Sequence, residues 1–464
     1  MSETRILSEF VADLRFKDLP EPVIEQACRI AVDTIGCAIS AWTEDPDKAR
    51  VAAGIARIYA AKPGASVIGA AGFTAQPAFA ALANGILANA ADNDDTHKRA
   101  LLHTGSVVVP TALALAETEG LSGQNLLVSL VVGYEVAVRV GMAVMPTHYR
   151  FWHSTGTNGT FGAAATAAKS LKLDGDGVQR ALGLAGTQAA GLNTFFESGD
   201  MTKSIHPGKA ALNGILSAQL AMIGATSPPS ILEHPKGYLN AFSTEPKPQA
   251  LVNGLGTTWE ILQNGFKYFP SILASHSPIQ ATLAIVRKHA IDPRKIARIT
   301  NETYNTVKTH FSNKDVNTVM AARVSVPYCI AVAAVDGELT QKQFSRTRIA
   351  DPLVREVLSK TEVIANAELN ALYPDKFPSR MTIILDDGRS FQETVLFPKG
   401  DPQDPLTSAE INSKFLENVA GVFTSQQADR LLKAIYALPT AGDIGNITTL
   451  LQFTSKEARE VAHV

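Results

Sequence analysis

The chain of 464 residues carries a net charge of −2 and is 45% apolar, so it can bury a large core across two or three domains. This charge balance argues against a nucleic-acid-binding surface, which needs clustered Lys and Arg. Three cysteines without CxxC spacing argue against a disulfide framework and favour a reducing, cytoplasmic location: Cys28, Cys37 and Cys329. The N-terminus lacks the basic end and apolar stretch of a signal peptide.

Helical periodicity dominates the chain from residue 5 to about 225. A first helix presents Ile6, Phe10 and Leu14 on one face, and Ser122 and Asp174 stand where helix N-caps are expected. The further predicted helices span residues 23–40, 77–90, 107–119, 125–144, 159–171, 175–190 and 208–224. Their many Ala and Gly residues allow helix axes to approach closely, so a tightly packed helical domain is predicted.

One stretch, residues 126–145, is apolar enough to raise the question of a membrane span. Glu135 and Arg139 interrupt it at helical i,i+4 spacing, which favours a buried helix and no membrane association.

Residues beyond about 265 have a mixed pattern. Strand-like alternation covers 295–310, and 380–396 reads as a hairpin turning at Asp386-Asp387-Gly388. Helical stretches are predicted at 316–335, 351–359 and, after a Pro-rich segment, 408–437. The predicted fold class is therefore mainly α with an α+β lid. A discontinuous, all-helical domain comprises 1–265 and 401–464, and a smaller α/β lid comprises 266–400.

Five polar clusters interrupt the apolar pattern, at 91–105, 151–161, 197–209, 266–276 and 322–328. Several place His or Lys beside a helix start, where fixed cations and unpaired backbone N–H groups suit a small di- or tricarboxylate. Simpler interpretations stay open: Asp94, Asp95 and Lys98 can form a solvated turn, and His206 can be a capping or packing residue. His97 and His103 are six residues apart without an HExxH pattern, so no metal site is predicted.

Four ordered motifs resemble those of the MmgE/PrpD family. They are Asp92-Asn-Asp-Asp-Thr-His with His103-Thr-Gly, Trp152-His-Ser-Thr-Gly-Thr-Asn-Gly, Met201-Thr-Lys-Ser-Ile-His-Pro-Gly and Phe266-Lys-Tyr-Phe-Pro. This family includes 2-methylcitrate dehydratase, cis-aconitate decarboxylase and iminodisuccinate epimerase. The resemblance implies a homodimer with a cofactor-free, metal-free active site between a helical domain and a lid, acting on a small polycarboxylate.

Matching the motifs residue by residue assigns the expected site. The catalytic candidates are His103, His153, Asp92 and Lys203, and the substrate-binding candidates are Thr96, Lys267, Tyr328 and His206. The hypothesis gives the proton donor and acceptor roles to His103 and His153. Asp92 orients an imidazole, while Lys203 and Lys267 hold carboxylates.

Two departures from the family patterns bear on the reaction. Decarboxylases of the family carry a His two residues after the Pro of the FKxxP motif, where this chain has Ile272. It also has Asp-Asp-Thr-His where the dehydratases have Asn-Asp-Thr-Trp. The prediction is therefore epimerisation of iminodisuccinate or a similar dicarboxylate. Dehydration in the manner of 2-methylcitrate dehydratase is the alternative, decarboxylation is disfavoured, and a polycarboxylate-binding protein is the non-enzymatic alternative.

Overall fold

The computed structural model describes residues 1–453, which form two compact units. The larger unit comprises residues 1–194, 201–264 and 407–453, and the smaller unit comprises 195–200 and 265–406. The smaller unit begins one residue before the predicted lid and ends six residues after it. It also takes in the short segment 195–200, which the sequence pattern placed in the helical domain.

The larger unit is almost entirely helical, so the prediction of a mainly α protein with a smaller α/β part is confirmed. Ser122 and Asp174 cap their helices as predicted, each accepting a backbone N–H bond. The α-helices of this unit are Glu3–Asp13, Glu21–Glu44, Pro46–Ile58, Pro77–Asn89, Gly105–Thr118, Gly123–Val144, Ser154–Ser170, Gly175–Gly186, Thr202–Met222, Tyr238–Phe242, Ser408–Val419, Ser425–Tyr436 and Gly445–Leu451.

Several boundaries differ from the prediction for local reasons. The first helix buries Leu7 and Val11 completely, whereas Ile6 and Phe10 are only half-buried. The predicted helix 408–437 is two helices, because Thr424 forms a capping box with Gln427 and starts a second one. The sequence patterns also missed the helix Pro46–Ile58 and the antiparallel strands Ala60–Ser66 and Thr74–Ala75.

The apolar helix Gly123–Val144 lies in the core of the larger unit. It is long and apolar enough to cross a membrane, but its most apolar stretch is completely buried inside the unit. Arg139 pairs with Glu135 at 3.0 Å and donates hydrogen bonds to the carbonyl oxygens of Asn253 and Thr258. The prediction of a buried helix for this stretch is confirmed, and its two charges satisfy each other.

A glycine contact brings two helices of the larger unit together. Gly85 in Pro77–Asn89 faces Gly208 in Thr202–Met222, and a Cβ built on Gly208 would lie 2.2 Å from the Leu82 carbonyl oxygen. Because neither position has room for a side chain, the backbones pack directly. This contact places the start of Thr202–Met222 beside the loop that follows Asn89.

The smaller unit is built on a four-stranded sheet. The strand order is Thr361–Ala365, Ile296–Thr303, Ser379–Leu385 and Ser390–Val395, with the first pair parallel and the others antiparallel. The predicted hairpin is confirmed, whereas the predicted strand 295–310 ends at Thr303 and is followed by a short helix. The helices of this unit are Phe195–Ser198, His276–His289, Asn305–His310, Val319–Val324, Val326–Asp336, Arg346–Ile349, Pro352–Ser359 and Ala367–Asn370.

Candidate active site

The loop between Asn89 and Gly105 is buried although it is rich in charge. Asp92, Asp94 and Asp95 are all 0% exposed, and among the charged residues of this loop only Lys98 and Arg99 reach solvent. The interpretation of Asp94 and Asp95 as a solvated turn is therefore wrong. Their oxygens must find partners inside the protein, since a buried carboxylate without them is strongly destabilising.

His103 is held by this loop through one ring nitrogen. Its Nδ1 lies 3.1 Å from the carbonyl oxygen of Asp95, 3.3 Å from the Thr96 hydroxyl and 3.4 Å from a carboxylate oxygen of Asp94. Three oxygen neighbours fix a proton on Nδ1. The Asn89 side-chain amide in turn donates to both oxygens of Asp94, at 3.0 and 2.9 Å.

Asp92 links His103 to a lysine. Its Oδ1 lies 2.5 Å from Lys203 Nζ and 3.8 Å from His103 Nε2. The backbone of Asp92 is left-handed, with φ of 54°, a conformation that Asp adopts more readily than most residues. That backbone twist aims the Asp92 carboxylate at both partners.

Asp95 has a structural role that the sequence did not reveal. It accepts a hydrogen bond from the Tyr134 hydroxyl at 2.6 Å and from the backbone N–H of Gly105 at 3.1 Å, at the start of the helix Gly105–Thr118. Burial and the neighbouring Asp94 raise the pKa of Asp95 to about 7. Asp95 therefore anchors the loop against two helices.

His153 is the N-cap of the helix Ser154–Ser170, which begins five residues before the predicted start at residue 159. Its backbone N–H donates to the carbonyl oxygen of Gly191, and its ring centroid is 6.4 Å from that of His103. Burial lowers the pKa of His153 well below 6.5, and the neighbouring His206 and Lys203 lower it further. The ring is therefore neutral near pH 7.

Lys203 and His206 lie three residues apart near the start of the helix Thr202–Met222, on one helical face. The prediction that this helix starts at residue 208, after both residues, is wrong, because Pro207 is accommodated inside the helix. Lys203 reaches Asp92, and His206 Nδ1 lies 3.0 Å from His153 Nδ1. One helix face therefore contacts both Asp92, which lies beside His103, and His153.

The remaining predicted residues belong to the smaller unit. Lys267 is 1% exposed, and Tyr328 is completely buried with its hydroxyl donating to the Gln343 carbonyl at 2.5 Å. Tyr328 would have to give up this bond to donate a hydrogen bond to a substrate. Ile272 is buried, so an apolar side chain occupies the position where the family's decarboxylases carry His.

Two domain models of one protein family match most of the chain. The MmgE/PrpD N-terminal domain matches residues 5–251, and the MmgE/PrpD C-terminal domain matches residues 269–438. The chain belongs to the MmgE/PrpD family. Among its relatives, cis-aconitate decarboxylase-like protein oryM of Aspergillus oryzae is 28% identical, over 97% of both chains. Cis-aconitate decarboxylase of Homo sapiens is 28% identical and that of Aspergillus terreus 27%, each over 97% of this chain and 95% of the relative.

These relatives are named cis-aconitate decarboxylase or cis-aconitate decarboxylase-like protein, so the MmgE/PrpD relationship supports an acid–base enzyme of the lyase type. It does not extend to the predicted epimerase activity. All six candidates of the larger unit lie in the segment that matches the N-terminal domain of the family.

Three residues of this candidate site lie close enough together to be compared with a metal site. Within residues 1–453, one atom from each of Asp92, Asp94 and His103 falls in a group spanning 4.8 Å. The Lys203 ammonium 2.5 Å from Asp92 already supplies a positive charge there, and the Asn89 amide bonds both oxygens of Asp94. The donor set fits an ion-paired acid–base site better than a metal site.

Sequence reasoning missed Lys414, which supports the loop from a distant part of the chain. It pairs with the fully buried Asp33 at 2.6 Å and donates to the carbonyl oxygen of Asn93 at 2.6 Å, although 321 residues separate Lys414 from Asn93. No local motif marks such a contact.

Proposed function

We propose that this protein is a cofactor-independent enzyme that removes a proton from the carbon next to a carboxylate of a small di- or tricarboxylate. The observation that carries the proposal is a pair of imidazoles with different surroundings beside a buried Asp92–Lys203 ion pair. Such pairs, whose environments separate their charge states, are typical of acid–base catalysis.

His153 suits the role of the base. A neutral imidazole can accept the α-proton at Nε2 without first losing one of its own. Because its pKa is lowered, His153 keeps this form even in weakly acidic solution.

His103 suits the role of the acid. Carboxylate oxygens of Asp92 and Asp94 lie within 3.8 Å of its ring and attract a positive charge on it. Its Nδ1 proton is already committed to the loop, so the proton available for transfer is the one on Nε2.

Lys203 suits the stabilisation of the intermediate. Removal of an α-proton leaves negative charge on the neighbouring carboxylate, and a fixed cation in a dry site lowers the energy of that enediolate. By resemblance to the family, Lys267 would hold a second carboxylate of the substrate and Tyr328 would bind the substrate as well.

We favour epimerisation of a dicarboxylate such as iminodisuccinate as the specific reaction. Two ring nitrogens that each lie about 3 Å from one carbon are separated by about 6 Å. The ring centroids of His103 and His153 are 6.4 Å apart, near enough for both rings to contact one substrate carbon.

A lyase reaction is the second candidate, and the names of the relatives favour it. With a hydroxyl on the adjacent carbon, the same proton removal followed by protonation of the leaving oxygen gives dehydration. Decarboxylation itself is less well supported, since Ile272 supplies no proton donor at the position where decarboxylases carry His.

The test is proton NMR of EDTA-treated enzyme in D2O with iminodisuccinate stereoisomers and, separately, with citrate, 2-methylcitrate and cis-aconitate. Deuterium at the α-carbon with loss of configuration and no alkene supports the epimerase. Alkene formation from a hydroxy acid moves the protein to the dehydratases, and itaconate from cis-aconitate moves it to the decarboxylases. Thermal stabilisation by one of these acids without any chemical change would point to a binding protein and contradict the enzymatic proposal.

A further inference from the structure

His206 faces His153 ring to ring. The two Nδ1 atoms lie 3.0 Å apart and the ring centroids 5.2 Å apart. Sequence reasoning assigned His206 to substrate binding, but this contact uses the nitrogen nearest the backbone to bond another side chain.

The His206 side chain packs against two glycines, Gly156 and Gly191. A Cβ on Gly156 would be 3.2 Å from His206 Cβ, and one on Gly191 would be 3.4 Å from His206 Nδ1. Gly191 has φ of 140°, which disfavours any residue with a side chain, and its carbonyl oxygen accepts the backbone N–H of His153. Lys209 Nζ holds the preceding carbonyl, that of Ala190, at 2.8 Å.

From this geometry we infer that His206 is a positioning residue that fixes the tautomer and orientation of His153, an inference that rests on the proposed function. One hydrogen bond between two neutral Nδ1 atoms contains one proton, so one ring donates and the other accepts. A proton on His153 Nδ1, donated to His206 Nδ1, leaves the lone pair of His153 on Nε2.

With its lone pair on Nε2, His153 can accept the α-proton of the substrate. The α-proton moves to His153 Nε2 while the electron pair of the C–H bond passes into the enediolate, and the Nδ1 proton stays on His153. His206 then accepts a hydrogen bond from an imidazolium and stabilises it, as the third member of an acid–base triad does. The opposite tautomer would put a proton on His153 Nε2 and block the base.

The inference is tested with His206→Leu and His206→Asn, and the exposed His310→Leu serves as control. His206→Leu removes the acceptor, and we expect kcat to fall about 10- to 100-fold with KM within about twofold, the usual size for loss of an orienting partner. Asn can place an amide oxygen near the position of the imidazole Nδ1, so His206→Asn should regain part of kcat. His310→Leu should match the wild type, and melting temperatures report whether each variant folds.

Nitrogen-15 NMR of labelled histidine gives a readout that needs no turnover. The wild type should show His153 protonated at Nδ1, and His206→Leu should show a shift toward Nε2 protonation. An unchanged tautomer together with unchanged kcat would overturn the inference, as would a rise in KM alone. If no substrate reacts with the wild type, the proposed function fails. The spectrum then still decides whether His206 sets the His153 tautomer.

Discussion

His103 and His153 are the same side chain in two opposite environments. Carboxylate oxygens surround His103, at 3.4 and 3.8 Å from its ring nitrogens. His153 is buried beside another imidazole and within the influence of Lys203, so its pKa is lowered. The Asp92–Lys203 ion pair lies beside His103, with Asp92 Oδ1 3.8 Å from His103 Nε2. The difference shows how one fold assigns acid and base roles to two identical groups.

Removing each imidazole tests the comparison most severely. His103→Ala and His153→Ala should each lower kcat/KM about 10²- to 10⁴-fold, the usual contribution of a general acid or base. Steady-state kinetics on the substrate identified by NMR measures this, with melting temperature as the folding control. Near-wild-type turnover in both folded variants would remove the acid–base pair from the account.

A double-mutant cycle tests the ion pair of Asp92 with Lys203. Asp92→Asn and Lys203→Met each leave a buried charge unpaired and should each lower the free energy of unfolding by about 3–5 kcal/mol. Asn is chosen because it tolerates the left-handed backbone at this position.

The double variant should lose much less stability than the sum of the single losses, because it buries no lone charge. Urea unfolding monitored by circular dichroism gives the three values. All three variants should be inactive, and strict additivity of their stability losses would show that Asp92 and Lys203 are not coupled.

His148 provides a reference histidine whose pKa is shifted without a neighbouring charge. Burial lowers its pKa to about 4, while a hydrogen bond to the Phe242 carbonyl opposes this only in part. The unfolded chain therefore takes up this proton more readily than the folded one, and the stabilisation is present above about pH 6.5 and lost as pH falls toward 4.

Wild type should lose up to about 3 kcal/mol in free energy of unfolding through His148 as the pH falls from 7 toward 4, and His148→Gln should not show this loss. The measurement is the difference in free energy of unfolding between wild type and variant at pH 7 and at pH 4.5. An identical loss of stability in both proteins would show that His148 is not buried in its neutral form.

The smallest expected effect concerns the charge near His153. Lys203→Met should raise the pKa of His153, but the pKa should stay below 6.5 because burial is the larger cause. Titration of the ring C–H signals by NMR measures it. A downward shift or no shift would mean that Lys203 does not act on His153.

The sequence predicted the helices with long apolar periodicity and their caps, because those signals are local. It could not predict the depth of the Asp92–Asp95 loop, since burial depends on helices far away in the chain. The pairing of Asp33 with Lys414 and the tolerance of Pro207 inside a helix are tertiary effects of the same kind. The motifs identified six site candidates that the larger unit brings into one cluster, but they gave no sign that His206 contacts His153.

The most direct test of proton transfer by two separate groups is to follow where solvent deuterium first appears, in substrate or in product, during one turnover in D2O. A base and an acid on opposite faces of the α-carbon predict that newly formed iminodisuccinate epimer carries deuterium while the remaining substrate keeps its proton. Equal early labelling of substrate and product would contradict two distinct groups and indicate a single base. Epimer that forms without any deuterium at the α-carbon would contradict reprotonation by a second group that exchanges its proton with the solvent.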